Sequence, residues 1–180
     1  MDPEELKALM RSGKRRPIYE PGEATLDVSV GRPEIERLLP HRDPFLFVDS
    51  ISKVDLEQGA LTAHRTIDPK DPVFVGHFPE YPIYPGVLQL ETMGQAGICL
   101  THFLRQGTTD VAADAKPVDV RAFKIHSALF IDEVGPGHEL TVDAKLLSDD
   151  SMTAVCLGQI RRGTTIVSLA VMEVYFVDEA

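Results

Sequence analysis

The hydrophobic pattern changes once along the chain, at a proline-rich segment near its middle. From Gly86 to Leu104 apolar residues cover most of the circumference of a helix, and Glu91 is the one charged residue. A helix that is apolar almost all round is buried, so this segment is predicted to be a long central helix. Beyond it, apolar runs divided by turn-forming residues predict four strands, at roughly 119–131, 139–148, 152–162 and 165–177.

The part of the chain before this helix predicts shorter elements. Pro33 opens a short helix, because a proline in the first turn costs no hydrogen bond. The remaining patterns indicate a helix at 3–11, strands at 25–30, 44–55 and 59–67, and a proline-broken segment at 68–85. One long buried helix followed by long antiparallel strands predicts an α+β architecture in which the sheet wraps around the helix.

Length and composition agree with one folded domain. The chain has 180 residues, and 43% of them are hydrophobic, which is enough for a single core. Its first thirty or so residues are rich in glycine, proline and charge. We therefore expect an N-terminal extension or arm at 1–31 and a single domain at 32–180.

Composition also limits the cellular location and the kinds of partner that can be expected. No apolar run approaches the roughly 20 residues that cross a bilayer, and the N-terminus lacks the apolar core of a secretory signal. Cys99 and Cys156 lie in apolar surroundings outside any CxxC pair, which argues against a disulfide framework or a zinc site. The net charge of -10 argues against nucleic acid as a partner. We expect a cytoplasmic protein without metal, in which the basic cluster Arg11–Arg16 is either solvated or a docking surface.

Several chemically useful groups lie around the start of the predicted central helix. His77 precedes the helix, and a histidine side chain changes its charge near neutral pH, which suits proton removal. Glu91 lies in the second turn, where burial disfavours the charged form; we expect a raised pKa and a proton-donor role. Gln95 is four residues further on the same face and can hold the carboxyl group. Gly86 leaves the backbone N–H groups of the helix start open to a substrate oxygen that becomes negative.

Each of these features also has a purely structural explanation. A histidine before a helix is often only a hydrogen-bonding residue, and a buried glutamate can simply pair with an arginine. A Pro-Gly step is usually a turn. The joint spacing of the three features is what favours chemistry.

Two segments of the chain resemble the signatures of one enzyme family. The first is Leu38-Leu-Pro-His-Arg-Asp-Pro-Phe-Leu-Phe-Val-Asp49. The second contains Gly76-His77-Phe78-Pro79, Pro82-Ile83, Pro85-Gly86-Val87-Leu88, Glu91 and Gln95. Together they resemble the (3R)-hydroxyacyl-(acyl-carrier-protein) dehydratases of bacterial fatty acid synthesis. The resemblance is close from about Leu38 to Gly97 and looser from Lys124 to the end.

The resemblance implies a hotdog fold, a long central helix wrapped by a curved antiparallel sheet, in a homodimer that can assemble as a trimer of dimers. It implies that His77 of one subunit removes the C2 proton while Glu91 of the other helps the C3 hydroxyl leave. Gly86 and Val87 would bind the thioester oxygen, with Gln95 and Phe78 supporting. The substrate would be an acyl-carrier-protein or coenzyme A thioester, and no cofactor is implied. Glu91 in place of aspartate favours this branch over the related dehydratase that also isomerises the double bond.

The chain departs from the family pattern in two places. Asp43 stands where the family usually has an aromatic residue. The stretch 128–138 has lost the basic residues of the family pattern and carries Leu129, Ile131, Asp132 and Glu133 instead. Because acyl carrier proteins are acidic, this loss weakens docking unless the Arg11–Arg16 cluster, with Arg121 and Lys124, restores it or the acyl group arrives on coenzyme A or a specialised carrier. The other interpretation is that these substitutions lie away from any docking surface.

Two other functions fit the same fold. A hotdog thioesterase would use Glu91 to activate water and does not usually need His77. A non-catalytic module would bind acyl chains or partner proteins. The presence of both His77 and Glu91 favours dehydration, because elimination needs a base and an acid.

Overall fold

A computed structural model describes residues 2–150 and 152–177 of the chain. The four helices within these residues are α1 (Pro3–Gly13), α2 (Arg32–Leu38), α3 (Val73–Gly76) and α4 (Gly86–Gln106). The strands are β1 (Leu26–Val30), β2 (Ser50–Asp55), β3 (Ala60–Thr66), β4 (Val120–Phe130), β5 (Glu139–Asp149), β6 (Thr153–Arg162) and β7 (Thr165–Phe176). Two predictions were wrong in detail: the strand predicted from residue 44 begins only at Ser50, and the loop before the central helix contains α3.

The seven strands form one antiparallel sheet in the order β1-β2-β3-β5-β6-β7-β4. The helix α4 packs against one face of this sheet, chiefly over β5 and β6. The predicted α+β arrangement of a central helix and an antiparallel sheet is therefore confirmed. Strand β4 stands at one edge, so its outer hydrogen-bonding groups pair with no other strand of the described chain.

The length and burial of α4 follow from its sequence. It begins after Pro85 and ends where Gly107 takes a left-handed conformation (φ 64°), with the Gly107 N–H donating to the Phe103 carbonyl at 2.9 Å. A backbone position with positive φ favours glycine and does not continue a right-handed helix, so the helix ends there. Its buried residues, among them Met93, Ala96 and Phe103, belong to the main core. Glu91 and Gln95 thus sit on an element held by the core.

The N-terminal helix α1 covers the opposite face of the sheet. Its buried Met10 packs with residues of β6 and β7 in a second apolar cluster. The buried Gln159 side chain on β6 donates to the carbonyls of Gly13 (2.6 Å) and Arg16 (3.1 Å) and accepts from the Ile18 N–H (3.3 Å). No helix among the described residues is both long and apolar enough to cross a membrane.

Candidate active site

His77 lies in the segment that joins α3 to α4, and its ring is held in one orientation. Its Nδ1 atom is 2.8 Å from the carbonyl oxygen of Ile83. A carbonyl only accepts, so Nδ1 carries the hydrogen and Nε2 keeps its lone pair. The ring of Phe78 lies against the imidazole, with centroids 4.3 Å apart. His77 is therefore set up to accept a proton at Nε2.

The first residues of α4 leave backbone donors open. The Pro85 carbonyl accepts from the N–H groups of Leu88 (3.1 Å) and Gln89 (3.2 Å), whereas the N–H groups of Gly86 and Val87 have no acceptor in the described part of the chain. A Cβ atom at Gly86 would lie 2.8 Å from the ring of Phe130. Glycine therefore lets the end of β4 approach the helix start, and the two free amides can stabilise a negative oxygen.

Glu91 is surrounded differently from what its sequence context predicts. One of its carboxyl oxygens, Oε1, accepts from Gln95 Nε2 at 3.0 Å and lies 3.3 Å from His41 Nε2. The hydrogen bond from His41, helped by that from Gln95, lowers the pKa of Glu91 against the opposing effect of burial. The expectation of a raised pKa is thus wrong, because it counted burial and missed a donor from a distant segment.

Gln95 ties this donor segment to the helix. It is fully buried; its Oε1 accepts the Phe47 N–H at 2.7 Å, and its Nε2 donates to the Phe45 carbonyl at 2.9 Å and to Glu91. Because the Phe47 N–H can only donate, the amide orientation is fixed and Nε2 must face Glu91. The predicted pairing of Gln95 with Glu91 is present in the structure.

His41 is the site residue that the sequence reasoning missed. It stands in the first family-like signature, but no chemistry was assigned to it, and fifty positions separate it from Glu91. Asp43, which departs from the family pattern, forms an ion pair with Arg32 at the start of α2. This pair anchors the turn that carries His41, which gives the substitution at position 43 a structural role.

Glu91 and His41 line a pocket of about 710 Å³ between α4 and the strands β4 and β7. Its walls are mainly apolar and include Val87, Leu90 and Ile98. An apolar pocket with a few convergent polar groups is the usual form of a small-molecule site. The pocket suits a hydrocarbon chain whose polar end lies at Glu91.

The structure brings some of the predicted site residues together within one chain and not others. Gly86, Val87, Glu91 and Gln95 share the first turns of α4, and Phe78 contacts His77. Glu91 hydrogen-bonds to Gln95, and its Oε1 lies 3.3 Å from His41 Nε2; His77 is not among its partners. Within residues 2–150 and 152–177 no group of three His, Cys, Asp or Glu side chains is arranged to hold a metal ion.

Comparison with known proteins gives closely related enzymes. Residues 39–171 match the family model described as a FabA-like domain. The chain is 37% identical over 147 residues to the 3-hydroxyacyl-(acyl-carrier-protein) dehydratase FabZ of a Nitratiruptor species, covering 81% of this chain and 97% of that protein.

Solved structures share the fold at low sequence identity. The dehydratase heterocomplex ApeI:P from Xenorhabdus doucetiae superposes with a TM-score of 0.60 at 18% identity, over 81% of this chain and 91% of that chain. A hypothetical thioesterase from Streptococcus pneumoniae TIGR4, solved with coenzyme A, superposes with a TM-score of 0.51 at 12% identity, over 67% of this chain and 80% of that chain. At such identities these likenesses concern the fold alone, and they confirm the predicted hotdog fold. Since the family model spans most of the chain and the dehydratase relative is matched over nearly its whole length, the chain belongs to the FabA-like family of hotdog dehydratases.

Proposed function

We propose that this protein removes water from (3R)-3-hydroxyacyl thioesters, carried on acyl carrier protein, to give trans-2-enoyl thioesters in fatty acid or related acyl-chain biosynthesis. The name of its Nitratiruptor relative describes this reaction. The observation that carries the proposal is local. Within the described residues, a histidine whose Nε2 has no partner, two helix amides without acceptors and a carboxyl group lie along one loop–helix junction, and the carboxyl group lines an apolar pocket.

Each group has a role in the elimination. His77 Nε2 takes the proton from C2, whose acidity comes from the thioester carbonyl, so that this route needs no cofactor. The amides of Gly86 and Val87 bind the carbonyl oxygen as it becomes negative. The electron pair from C2 forms the double bond, the C3–O bond breaks, and the oxygen leaves as water with a proton from Glu91. Because the pKa of Glu91 is lowered, this step runs through the small protonated fraction of Glu91, which takes its proton from solvent. Gln95 and Phe78 hold Glu91 and His77 in place.

A homodimer belongs to the same proposal, with His77 of one protomer facing Glu91 of the other. Strand β4 stands at the sheet edge and exposes large apolar residues, including Phe123, Ile125 and Phe130. A long apolar edge strand is prone to pair with another chain, and a two-fold dimer would pair β4 with itself. A trimer of dimers is a further assembly that sedimentation or light scattering would distinguish.

The carrier is proposed to be a protein although the stretch 128–138 is acidic. Asp132 pairs with Arg162 at 2.9 Å, which partly neutralises its charge, and Glu133 accepts a hydrogen bond from the Tyr81 hydroxyl at 2.6 Å. The Arg11–Arg16 cluster, at the end of α1 and just beyond it, offers exposed positive charge for an acidic carrier. Coenzyme A thioesters are the alternative substrate, and comparing the rates with the two kinds of thioester distinguishes them.

The test is mass spectrometry of a 3-hydroxyacyl carrier protein and of the matching coenzyme A ester after incubation with the enzyme. Loss of water from the acyl group is expected, whereas release of free acid would mean hydrolysis. His77→Ala and Glu91→Gln are each expected to lower the rate by about 100-fold or more, because a positioned acid or base contributes about 10²–10⁴-fold.

The matched control for these variants is His64→Ala. His64 follows the core residue Ala63 on β3, so that strand alternation directs it to the face of the sheet away from α4. The His64→Ala variant should retain full activity. A His77→Ala enzyme with wild-type turnover would contradict the assignment of His77 as the base.

The domain division and the location are proposed on the same basis. The family model begins at residue 39, which supports 1–31 as an extension and 32–180 as the catalytic domain. Both cysteines are unpaired and buried, which suits a reducing compartment such as the cytoplasm. Limited proteolysis of the whole protein and fractionation of cells test the two points.

A further inference from the structure

The two oxygens of the Glu91 carboxyl group have different surroundings. Both N–H donors, Gln95 Nε2 and His41 Nε2, converge on Oε1. Oε2 has no hydrogen-bond partner within the described residues, and Glu91 lines the pocket between α4 and β4. One oxygen is therefore held by the protein while the other is available to a ligand.

The hydrogen-bonding pattern also fixes the tautomer of His41. Its Nδ1 atom is buried and has no hydrogen-bond partner within the described residues. An N–H group there would be buried without an acceptor, which costs more than an unpaired lone pair of a neutral imidazole. The hydrogen therefore sits on Nε2, the atom that faces Glu91.

The turn that carries His41 is held at several points. The Arg42 guanidinium donates to the Leu39 carbonyl at 2.9 Å, and Asp43 pairs with Arg32. The ring of Phe45 stacks on His41 with centroids 6.4 Å apart, and the Phe45 carbonyl is bound by Gln95. The backbone of the turn is thus fixed, and Phe45 lies against one side of the imidazole.

We propose that His41 is a positioning residue for dehydration: together with Gln95 it occupies Oε1 of Glu91, so that Oε2 is the oxygen that passes its proton to the leaving hydroxyl group. The proposal rests on the proposed function. The step runs through the protonated form of Glu91, in which Oε1 is the carbonyl oxygen that accepts from Gln95 and faces His41 Nε2, while Oε2 carries the hydrogen. When the C3–O bond breaks, its electron pair stays on the oxygen, which takes the Oε2 proton and leaves as water.

The same two donors stabilise the carboxylate that this step creates. Negative charge spreads to Oε1 as the proton departs, so both N–H bonds strengthen in the transition state. The other charged groups around the pocket are Arg121 and Lys124 on β4 and Glu173 on β7, and Glu173 is engaged by His126 at 2.7 Å. None of these three hydrogen-bonds to Glu91 in the described chain, so the effect on its acidity comes chiefly from His41.

Two variants separate the donor from the shape of the side chain. His41→Leu removes the group that holds Oε1. The carboxyl group then loses its fixed orientation, and kcat is expected to fall by about 10- to 100-fold with KM unchanged, although the higher pKa of Glu91 leaves more of it protonated. His41→Gln places an amide N–H near the position of Nε2 and is expected to keep activity close to wild type. His64→Leu, the matched control, should leave kcat unchanged.

A second readout is the titration of Glu91 itself, followed by ¹³C NMR of glutamate-labelled protein and assigned with Glu91→Gln. The pKa of Glu91 should rise in His41→Leu and stay low in His41→Gln. A folded His41→Leu protein with unchanged kcat and unchanged Glu91 titration would overturn the proposal. So would loss of folding in both His41 variants, since His41 would then be part of the scaffold.

The outcome separates this proposal from the function on which it rests. If the wild-type enzyme forms no enoyl product, the proposed function fails. If the wild type forms enoyl product and His41→Leu does so equally fast, dehydration stands and only the role of His41 fails.

Discussion

The contact between Gly158 and Met93 determines how closely the central helix approaches the sheet. A Cβ atom added at Gly158 on β6 would lie 2.6 Å from Met93 Cβ, 2.9 Å from its Cγ and 3.0 Å from its Sδ. The nearest of these atoms is attached directly to the backbone of α4, so a side-chain rotation does not relieve the overlap. Gly158→Ala therefore has to move the helix or the strand.

The magnitude follows from two opposing effects. Replacing glycine by alanine in a strand gains about 0.5–1 kcal/mol of unfolding free energy, because the unfolded chain loses flexibility. Overpacking a close-packed core costs about 1–3 kcal/mol. The overlap should win, and Gly158→Ala should lower the free energy of unfolding by about 1–2 kcal/mol, with a fall in Tm of about 2–4 °C per kcal/mol.

Urea denaturation of the wild type and four variants tests this reasoning. Gly94→Ala is the matched control, since a Cβ at Gly94 on the same helix would meet no atom within 4 Å, and alanine should stabilise the helix by about 1 kcal/mol. Met93→Gly removes the clashing atoms, so adding Gly158→Ala to it should cost nothing. Wild-type stability for Gly158→Ala, or an equal cost with and without the Met93 side chain, would refute the steric argument.

Two further effects concern buried and partly buried carboxylates. Asp143 is fully buried and accepts from Thr62 Oγ1 at 2.8 Å and from Arg161 at 2.7 and 2.9 Å. Asp143→Ala should therefore lower the free energy of unfolding in urea by about 3 kcal/mol, the low end for a broken buried pair because Arg161 reaches solvent. A decrease of less than about 1 kcal/mol would contradict this prediction. The pKa of Glu91 is lowered in the folded state, so the unfolded chain binds more protons as pH falls, and the stability from Glu91 is present above its unfolded pKa and lost as pH falls through its folded pKa. The stability difference between wild type and Glu91→Gln should therefore be constant near neutral pH and shrink in acid; a difference that grows in acid would reverse the sign.

The elements that local pattern determines were predictable from the sequence. Helix α4 was predicted from 86 to 104 and runs from Gly86 to Gln106, because its apolar residues and the terminating glycine act within a few positions of each other. The four strands after it were predicted within about two residues, since alternation and turn residues are local signals.

The segment before β2 shows where local pattern is insufficient. Residues 44–48 are apolar and predict a strand, yet the Phe47 N–H and the Phe45 carbonyl bond to the Gln95 side chain instead of to a neighbouring strand. A side chain nearly fifty positions away takes the backbone groups that a ladder would use. The hydrophobic pattern within the segment gives no indication of such a partner.

The prediction of a raised pKa for Glu91 was wrong for the same reason. Its own helix predicted burial and hence a raised pKa, while the larger effect comes from His41, which lies before β2. Electrostatic effects at a site depend on atoms within a few ångströms, and the sequence gives such distances only along one element. Base, oxyanion donors and Gln95 could be proposed because they share one loop–helix junction; His41 could not.

Gln95 links the fold to the chemistry in a single buried amide. Each of its hydrogen-bonding atoms is used: Oε1 by the backbone of Phe47, and Nε2 by the carbonyl of Phe45 and by Glu91. Since the turn that carries His41 adjoins the bonded segment, any shift of that segment moves the second donor to Glu91 as well. The orientation of the carboxyl group is therefore set by core packing around Gln95, and the site is as rigid as the core that holds it.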